Sequence, residues 1–196
     1  VVIVTAVEDA LDADRTDVIA VTINQPLTDN NFDALAPQNV TVIIEDNDPP
    51  VITGCPANIS VTNTPGSCSA TASWTAPVST APMTSTHLPG ATFPVGVTTV
   101  TYTSTDDDGM ISVCTFTVTV NDTEMPVVIC SDITLELDAS GSATIGASDL
   151  LTTAPTDNCS VASVTLSRAS FTCTDLGSVT VTVTVTDASG NTATCT

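Results

Sequence analysis

Val100-Thr-Tyr-Thr-Ser-Thr-Asp-Asp-Asp-Gly-Met-Ile-Ser-Val-Cys114 and Val181-Thr-Val-Thr-Val-Thr-Asp-Ala-Ser-Gly-Asn-Thr-Ala-Thr-Cys195 are one phrase written twice. In each, apolar residues alternate with Thr or Ser up to an Asp, a Gly closes a turn, and a Cys follows. Period 2 marks a strand with one buried face, and the Asp-to-Gly interval marks a tight reversal. The match continues upstream, where Pro49-Pro50-Val-Ile-Thr-Gly-Cys55-Pro-Ala-Asn-Ile-Ser-Val answers Met125-Pro126-Val-Val-Ile-Cys130-Ser-Asp-Ile-Thr-Leu, the two cysteines standing 75 positions apart. A repeated β-unit with its own cysteine frame predicts tandem modules in an oxidising, extracellular setting.

Outward from that phrase the same period holds. Residues 97–105 alternate Val or Tyr with Thr, residues 112–120 put Cys114, Phe116, Val118 and Val120 on one face, and 179–186 is an unbroken Val-Thr ladder. Only Ala147–Leu151 offers a short helix. Thr64-Pro65-Gly66, Leu88-Pro89-Gly90, Ser140-Gly141 and Ser189-Gly190-Asn191 supply turns at short intervals, the rhythm of antiparallel sandwiches. The predicted class is all-β, as tandem immunoglobulin-like antiparallel sandwiches. Ile44–Pro50 and Val120–Pro126 each end a hydrophobic strand in acidic residues and then a proline, which cannot donate to a continuing ladder. Domains are therefore expected at 1–48, 49–124 and 125–196, the first a partial one with strands at 1–7, 17–24 and 39–45.

Charge removes several functions. Arg15 and Arg168 are the only basic side chains against 22 acidic ones, a formal charge of -20, which repels nucleic acid and anionic membranes. Hydrophobic residues make up 42% and charged residues 12%, so the chain is expected to fold. No apolar run reaches the roughly 18 residues of a membrane span. Val1-Val2-Ile3-Val4 has no charged n-region, and the chain reads as an excerpt of a longer polypeptide. Enzyme chemistry finds little support. The sole histidine, His87, has no nucleophile elbow near it, no phosphate-cradling glycine loop is present, and one Trp, one Tyr and four Phe make a poor sugar platform.

Seven landmarks then fall in order: Cys55-Pro56, Gly66-Ser67-Cys68, Trp74-Thr-Ala-Pro77, Phe93-Pro94-Val-Gly96, Val100-Thr-Tyr102, Asp106 to Gly109, and Cys114-Thr-Phe116-Thr-Val118. Together they resemble the hyalin repeat over nearly all of 49–122. Residues 125–196 resemble a divergent copy, through Cys130, Asp157-Asn158-Cys159, Asp187-Ala-Ser-Gly190-Asn191 and Cys195, without the Trp or the Phe-Pro. Residues 1–48 resemble the end of a Calx-beta domain, through Ala6–Ala10, Asp17–Thr22, Asn31-Phe32-Asp33 and Val40–Asp48. The resemblance implies an immunoglobulin-like module of large secreted or cell-surface adhesins and filaments.

Repeat register pairs Cys55 with Cys114 and Cys130 with Cys195, first strand to last, and local spacing pairs Cys159 with Cys173. Under the loop-entropy model a bridge closing about 60 residues contributes roughly 4 kcal/mol, and one closing about 15 roughly 3 kcal/mol. Cys68 is left over. The hyalin pattern implies a partner from an Asp-Asn-Cys, but the corresponding stretch reads Thr80-Ala-Pro-Met-Thr84. Cys68 is thus either a buried thiol or a link to another chain. No Cys-x-x-Cys or Cys/His cluster points to zinc.

Glu45, Asp46, Asn47 and Asp48 gather at one junction, Asp122 and Glu124 at the next. Carboxylates with Asn suit Ca2+. The plain alternative is capping and Asx-turns in solvent, and for Asp106-Asp107-Asp108-Gly109 a solvated turn. Two functions are carried forward. One is a rigid spacer, stiffened by disulfides and calcium, whose partners are neighbouring repeats and other copies in a fibre; the other is a ligand-binding adhesive module for carbohydrate or protein. The absence of an aromatic or Arg cluster favours the spacer. The uncharged 179–186 ladder is expected to be central in its sheet or paired across an interface, since no lysine guards an edge.

Overall fold

Alternation becomes ladder wherever a neighbour is in reach. In the computed structural model the described residues are 15–21, 38–44 and 48–196, and β1 (Arg15–Val21) pairs antiparallel with β2 (Gln38–Ile44), Ile19 opposite Val40. The expected strand at 1–7, and the ends of those at 17–24 and 39–45, lie outside the described residues. Eight short or long strands follow in the middle repeat: β3 (Ile52–Thr53), β4 (Ile59–Thr62), β5 (Ser69–Thr71), β6 (Val78–Ser79), β7 (Met83–Ser85), β8 (Thr92–Pro94), β9 (Gly96–Thr105) and β10 (Ile111–Asn121). The last repeat holds β11 (Ser142–Thr144), helix α1 (Ala147–Leu150), β12 (Val161–Leu166), β13 (Ser170–Thr172), a 3-10 turn at Cys173–Asp175, β14 (Val183–Asp187) and β15 (Thr192–Cys195). Apart from two helical turns, every regular element among the described residues is a strand, and the fold is all-β.

The chain condenses into two compact units, which cut across the middle repeat: residues 1–56, 75–88 and 100–115, and residues 57–74, 89–99 and 116–196. In the first, β3 pairs with β6 and β7 with β9, both antiparallel. Ser104 is fully buried, and its hydroxyl lies 2.6 Å from Ser79 Oγ and 3.2 Å from the carbonyl of Ala81, so a polar group inside the unit is satisfied. The turn between β9 and β10 is built on Asp106, whose Oδ1 accepts the Met110 N–H at 2.7 Å, with Gly109 at φ +84°.

In the second unit β4 runs parallel to the end of β10, Ile59 beside Val118 and Val61 beside Val120. Val118 and Val120 are closed off from solvent, which is the core face that alternation in 112–120 predicts. Trp74 sets its ring 5.1 Å from Phe116, edge to face, and 6.0 Å from Phe93, a geometry that adds to plain burial. The last repeat packs Ile145, Leu150, Phe171, Val181, Val183 and Val185 into one core under the sheet β12-β14-β15. Val183–Thr186 of the 179–186 ladder lie in β14, central between β12 and β15, and residues 179–182 belong to no strand.

Candidate functional site

The chemistry-bearing residues of the second unit converge on Asp122. Their positions follow from three tight turns. Pro65 and Gly66 occupy the centre of the turn Thr64–Ser67, Gly66 at φ +72°, and the Ser67 N–H closes it on the Thr64 carbonyl at 2.9 Å. Pro before Gly is the pairing that a type II turn requires. Asn63, buried, holds the base of this turn: its Nδ2 donates to Ser67 O at 3.2 Å and Glu124 Oε1 at 2.8 Å, and its Oδ1 accepts the Thr123 N–H at 3.2 Å. Glu124 Oε1 also accepts the Gly66 N–H at 2.8 Å. Glu124 is therefore a brace for the turn that delivers Cys68.

A second turn is Asp157-Asn158-Cys159. Asp157 Oδ2 accepts the N–H groups of Cys159 and Ser160 at 2.9 and 3.1 Å, and Asn158 Nδ2 donates to Ser67 O and to Asp122 Oδ1, both at 3.2 Å. The third is Asp187–Asn191. Asp187 is 2% exposed; its Oδ1 accepts the Ser189 and Asn191 N–H groups at 2.8 and 2.7 Å, and its Oδ2 accepts Asn191 Nδ2 at 2.7 Å. Burial pushes this carboxyl up, but the Asn191 side chain and the N–H groups of Asn191, Ser189 and Gly190 outweigh it and hold its pKa below the usual value. The turn then reaches across: Asn191 Nδ2 donates to Asp122 O at 3.2 Å and Ser189 Oγ to Asp122 Oδ2 at 3.4 Å.

Asp122 itself is 8% exposed, and a carboxylate oxygen of Asp122, one of Asp157 and the sulfur of Cys159 lie within 4.8 Å of one another. Asp157 Oδ1 and Asn158 Oδ1 are buried there with no hydrogen-bond partner. One carboxylate oxygen of Asp157 and the amide oxygen of Asn158 thus lack a partner beside the Asp122 carboxylate, and oxygen donors of this kind suit Ca2+. Of the calcium residues named from sequence, Asp122 is in this group and Glu124 is outside it. Glu45, Asp46 and Asn47 lie outside the described residues, and Asp48 is half-buried at the start of the described middle repeat.

Three disulfides frame these turns. Cys55 is bonded to Cys114 and Cys130 to Cys195, joining the residues that the repeat register pairs. The third corrects the sequence reading: Cys159 is bonded to Cys68, 91 residues away, Cys173 is the free thiol and is exposed, and no Cys159–Cys173 bridge forms. Geometry overrides the short loop. Ser69-Ala70-Thr71 pairs with Thr92-Phe93-Pro94 just as Ser142-Ala143-Thr144 pairs with Ser170-Phe171-Thr172, so Gly141 stands where Cys68 does. Cys173 lies over that glycine, 2.7 Å from where a Cβ would be, and Cys159 sits before β12 in a separate turn. The Val127↔Thr156 bridge likewise repeats Ile52↔Ser79 and puts Cys159 where the middle repeat has Pro82. Each repeat carries one half of a pair and lacks the other, and the halves meet. That complementarity was the signal available in the sequence. His87, the lone histidine, has Nδ1 3.1 Å from Thr86 Oγ1.

A HYR-domain model matches residues 45–120. Hyalin of Strongylocentrotus purpuratus is 35% identical over 166 residues, 79% of this chain. The chain spans 14% of the length of that relative. Among the described residues no helix is long and apolar enough to cross a membrane.

Proposed function

Because residues 45–120 are a hyalin repeat, we propose that the chain is a spacer segment of a large secreted or cell-surface adhesive filament, with repeats at 49–124 and 125–196. The observation that carries this reading is the Cys68–Cys159 bond, which ties a turn of one repeat to a turn of the next. A covalent link between successive modules removes the hinge freedom that a short linker leaves, and a stalk needs that stiffness. Its partners are then the neighbouring repeats and other copies in a fibre. Calcium is the second stiffener, held by Asp122 and Asp157 with the Asn158 amide oxygen.

Small-angle scattering tests the spacer reading. The native chain should scatter as a particle of fixed length, and Cys68→Ser with Cys159→Ser should broaden its distance distribution; an unchanged distribution removes the argument. For calcium, a concentration about 100-fold above the dissociation constant should stabilise the native chain by about 2.7 kcal/mol and leave Asp157→Asn unmoved. Equal responses from both chains would end the assignment.

A further inference from the structure

Four stretches of the chain have the form Asn-x-Ser or Asn-x-Thr: Asn39-Val-Thr41, Asn58-Ile-Ser60, Asn121-Asp-Thr123 and Asn158-Cys-Ser160. This is the acceptor pattern for N-linked carbohydrate on a secreted chain, in which the sugar is joined to the side-chain amide nitrogen. The side chains of the last three are among the described residues, and the fold treats their amides differently.

Asn158 and Asn121 have their amides in use. Asn158 is half-buried, its Nδ2 donates to Ser67 O and to Asp122 Oδ1, and the residue after it is held by the Cys68–Cys159 bond. Asn121 is exposed, but its Nδ2 donates to Ser60 Oγ at 2.9 Å and to Val61 O at 3.4 Å. The third residue of that stretch, Thr123, is drawn in by Asn63, whose Oδ1 accepts its N–H at 3.2 Å and its hydroxyl at 3.5 Å. A sugar on either Nδ2 removes one of two N–H donors and puts a bulky group between elements that now touch.

Asn58 is set the other way round. It is exposed, just before β4, and its Oδ1 accepts the Thr117 N–H at 2.9 Å, while its Nδ2 has no hydrogen-bond partner among the described residues. The half of the amide that positions this side chain is the half that a sugar leaves alone. Period 2 puts Ser60 on the same exposed face as Asn58 and turns Ile59 to the other. The last repeat has Asp132-Ile-Thr134 at the corresponding place, so the two copies do not share the pattern.

We propose that Asn58 is the N-glycan acceptor among these three, an inference that rests on the secreted or cell-surface reading. In the transfer, Asn58 Nδ2 attacks the anomeric carbon of an oligosaccharide carried on a lipid pyrophosphate. The new carbon–nitrogen bond replaces the carbon–oxygen bond, the lipid pyrophosphate leaves with that electron pair, and one amide proton passes to a base of the transferase. Oδ1 is untouched, so the Thr117 hydrogen bond survives. The glycan stands beside Ser60 and Thr117 and keeps that face of β4 and β10 hydrated; contacts between copies in a fibre then use other faces.

The test routes residues 1–196 through a eukaryotic secretory pathway behind an added signal peptide, so that failure at Asn58 is not confused with failure of the secreted reading. Secreted material is treated with peptide N-glycosidase in heavy-oxygen water, which converts a glycosylated Asn to labelled Asp, and its peptides are read by mass spectrometry. Asn58 should be labelled, and more fully than Asn121 or Asn158. Asn58→Gln should lose that label with the chain still secreted, and Ser60→Thr should keep it. Hydrogen exchange at the Thr117 amide should be as slow in the glycosylated chain as in one made with lipid-linked oligosaccharide synthesis blocked. No label at Asn58, or label at Asn121 or Asn158 equal to or above it, overturns the proposal; so does faster exchange at Thr117 in the glycosylated chain.

Discussion

The middle and last repeats carry the same turn-and-strand phrase, yet they hold it in place by different means. In the middle repeat β10 continues six residues beyond Thr115, lays Val118 and Val120 beside β4, and brings Phe116 onto Trp74. The last repeat has no tryptophan, and its apolar core gathers Ile145, Leu150 of α1 and Phe171 of β13 with Val181 and with Val183 and Val185 of β14. What it has instead is a better turn. Asp187 accepts three hydrogen bonds where Asp106 accepts one from Met110, and Asp106 Oδ2 is buried without a partner. Each copy has its own disulfide; the aromatic cluster and the β4–β10 ladder distinguish one, and the hydrogen-bonded Asp187 turn the other.

The largest expected effect tests that division. Cys130→Ser with Cys195→Ser opens a bridge of sequence separation 65, and Cys55→Ser with Cys114→Ser opens one of 59. Each loss costs about 4 kcal/mol by the loop-entropy model. The middle repeat should survive it, because the β4–β10 ladder and the Trp74 cluster remain; the last repeat should unfold. Hydrogen exchange on the two double variants reads this directly, and equal survival would mean that packing in the last repeat is as strong as in the middle one.

Next in size is Trp74→Ala. Removing a ring that meets Phe93 and Phe116 should cost about 3 kcal/mol or more, seen as a lower midpoint in denaturant. The loss should be confined to the middle repeat. If protection in β14 falls equally, the two repeats unfold as one and the contrast between them is not energetic.

Asp187→Asn comes third, at about 1–3 kcal/mol, because the amide nitrogen would face Asn191 Nδ2, donor against donor. Asp106→Asn should cost less. The pH dependence follows in sign. A folded pKa held below the ordinary value means stability present above about pH 4 and lost as the pH falls through the depressed folded value. Asp138, exposed and held low by the Ser140 hydroxyl, and Asp175, partly buried and held low by Arg168, act in the same direction. Acid titration of the native chain against Asp187→Asn should therefore show a steeper loss below about pH 4 in the native chain.

Strands, turns and the all-β class were legible because period 2 and Gly-containing turns are local signals: residues 97–105 and 112–120 correspond to β9 and β10 almost residue for residue. The same pattern at residues 179–182 goes with no strand. Alternation reports a strand's readiness to pair, and pairing depends on a neighbour that the local pattern does not contain. The convergence of Asp122, Asn158, Ser189 and Asn191 was out of reach on similar grounds, since three turns distant in sequence must meet. The Cys68 partner was closer to hand. Spacing favoured Cys159 with Cys173, but the vacancy at Thr80-Ala81-Pro82 in one repeat and the Ser-Gly141 in place of Ser-Cys68 in the other already pointed across.

The smallest expected effect is at Cys173. Its counterpart in the middle repeat is Val95, whose N–H donates to the Cys68 carbonyl at 3.2 Å; here the exposed thiol lies over Gly141, with Sγ 3.7 Å from its carbonyl. Cys173→Ser removes no bridge and exposes no core, so stability should change by less than about 0.5 kcal/mol. A thiol reagent should label the native chain once, at Cys173, and the serine variant not at all. Gly141→Ala is the sharper companion. A methyl group there would come within 2.7 Å of Cys173 Sγ, and the φ of +77° disfavours any side chain, so the alanine variant should lose more stability than the serine one. If Gly141→Ala becomes harmless once Cys173 is serine, the thiol contact was the whole constraint; if it stays costly, the left-handed backbone was, and the glycine is a turn requirement independent of the cysteine beside it.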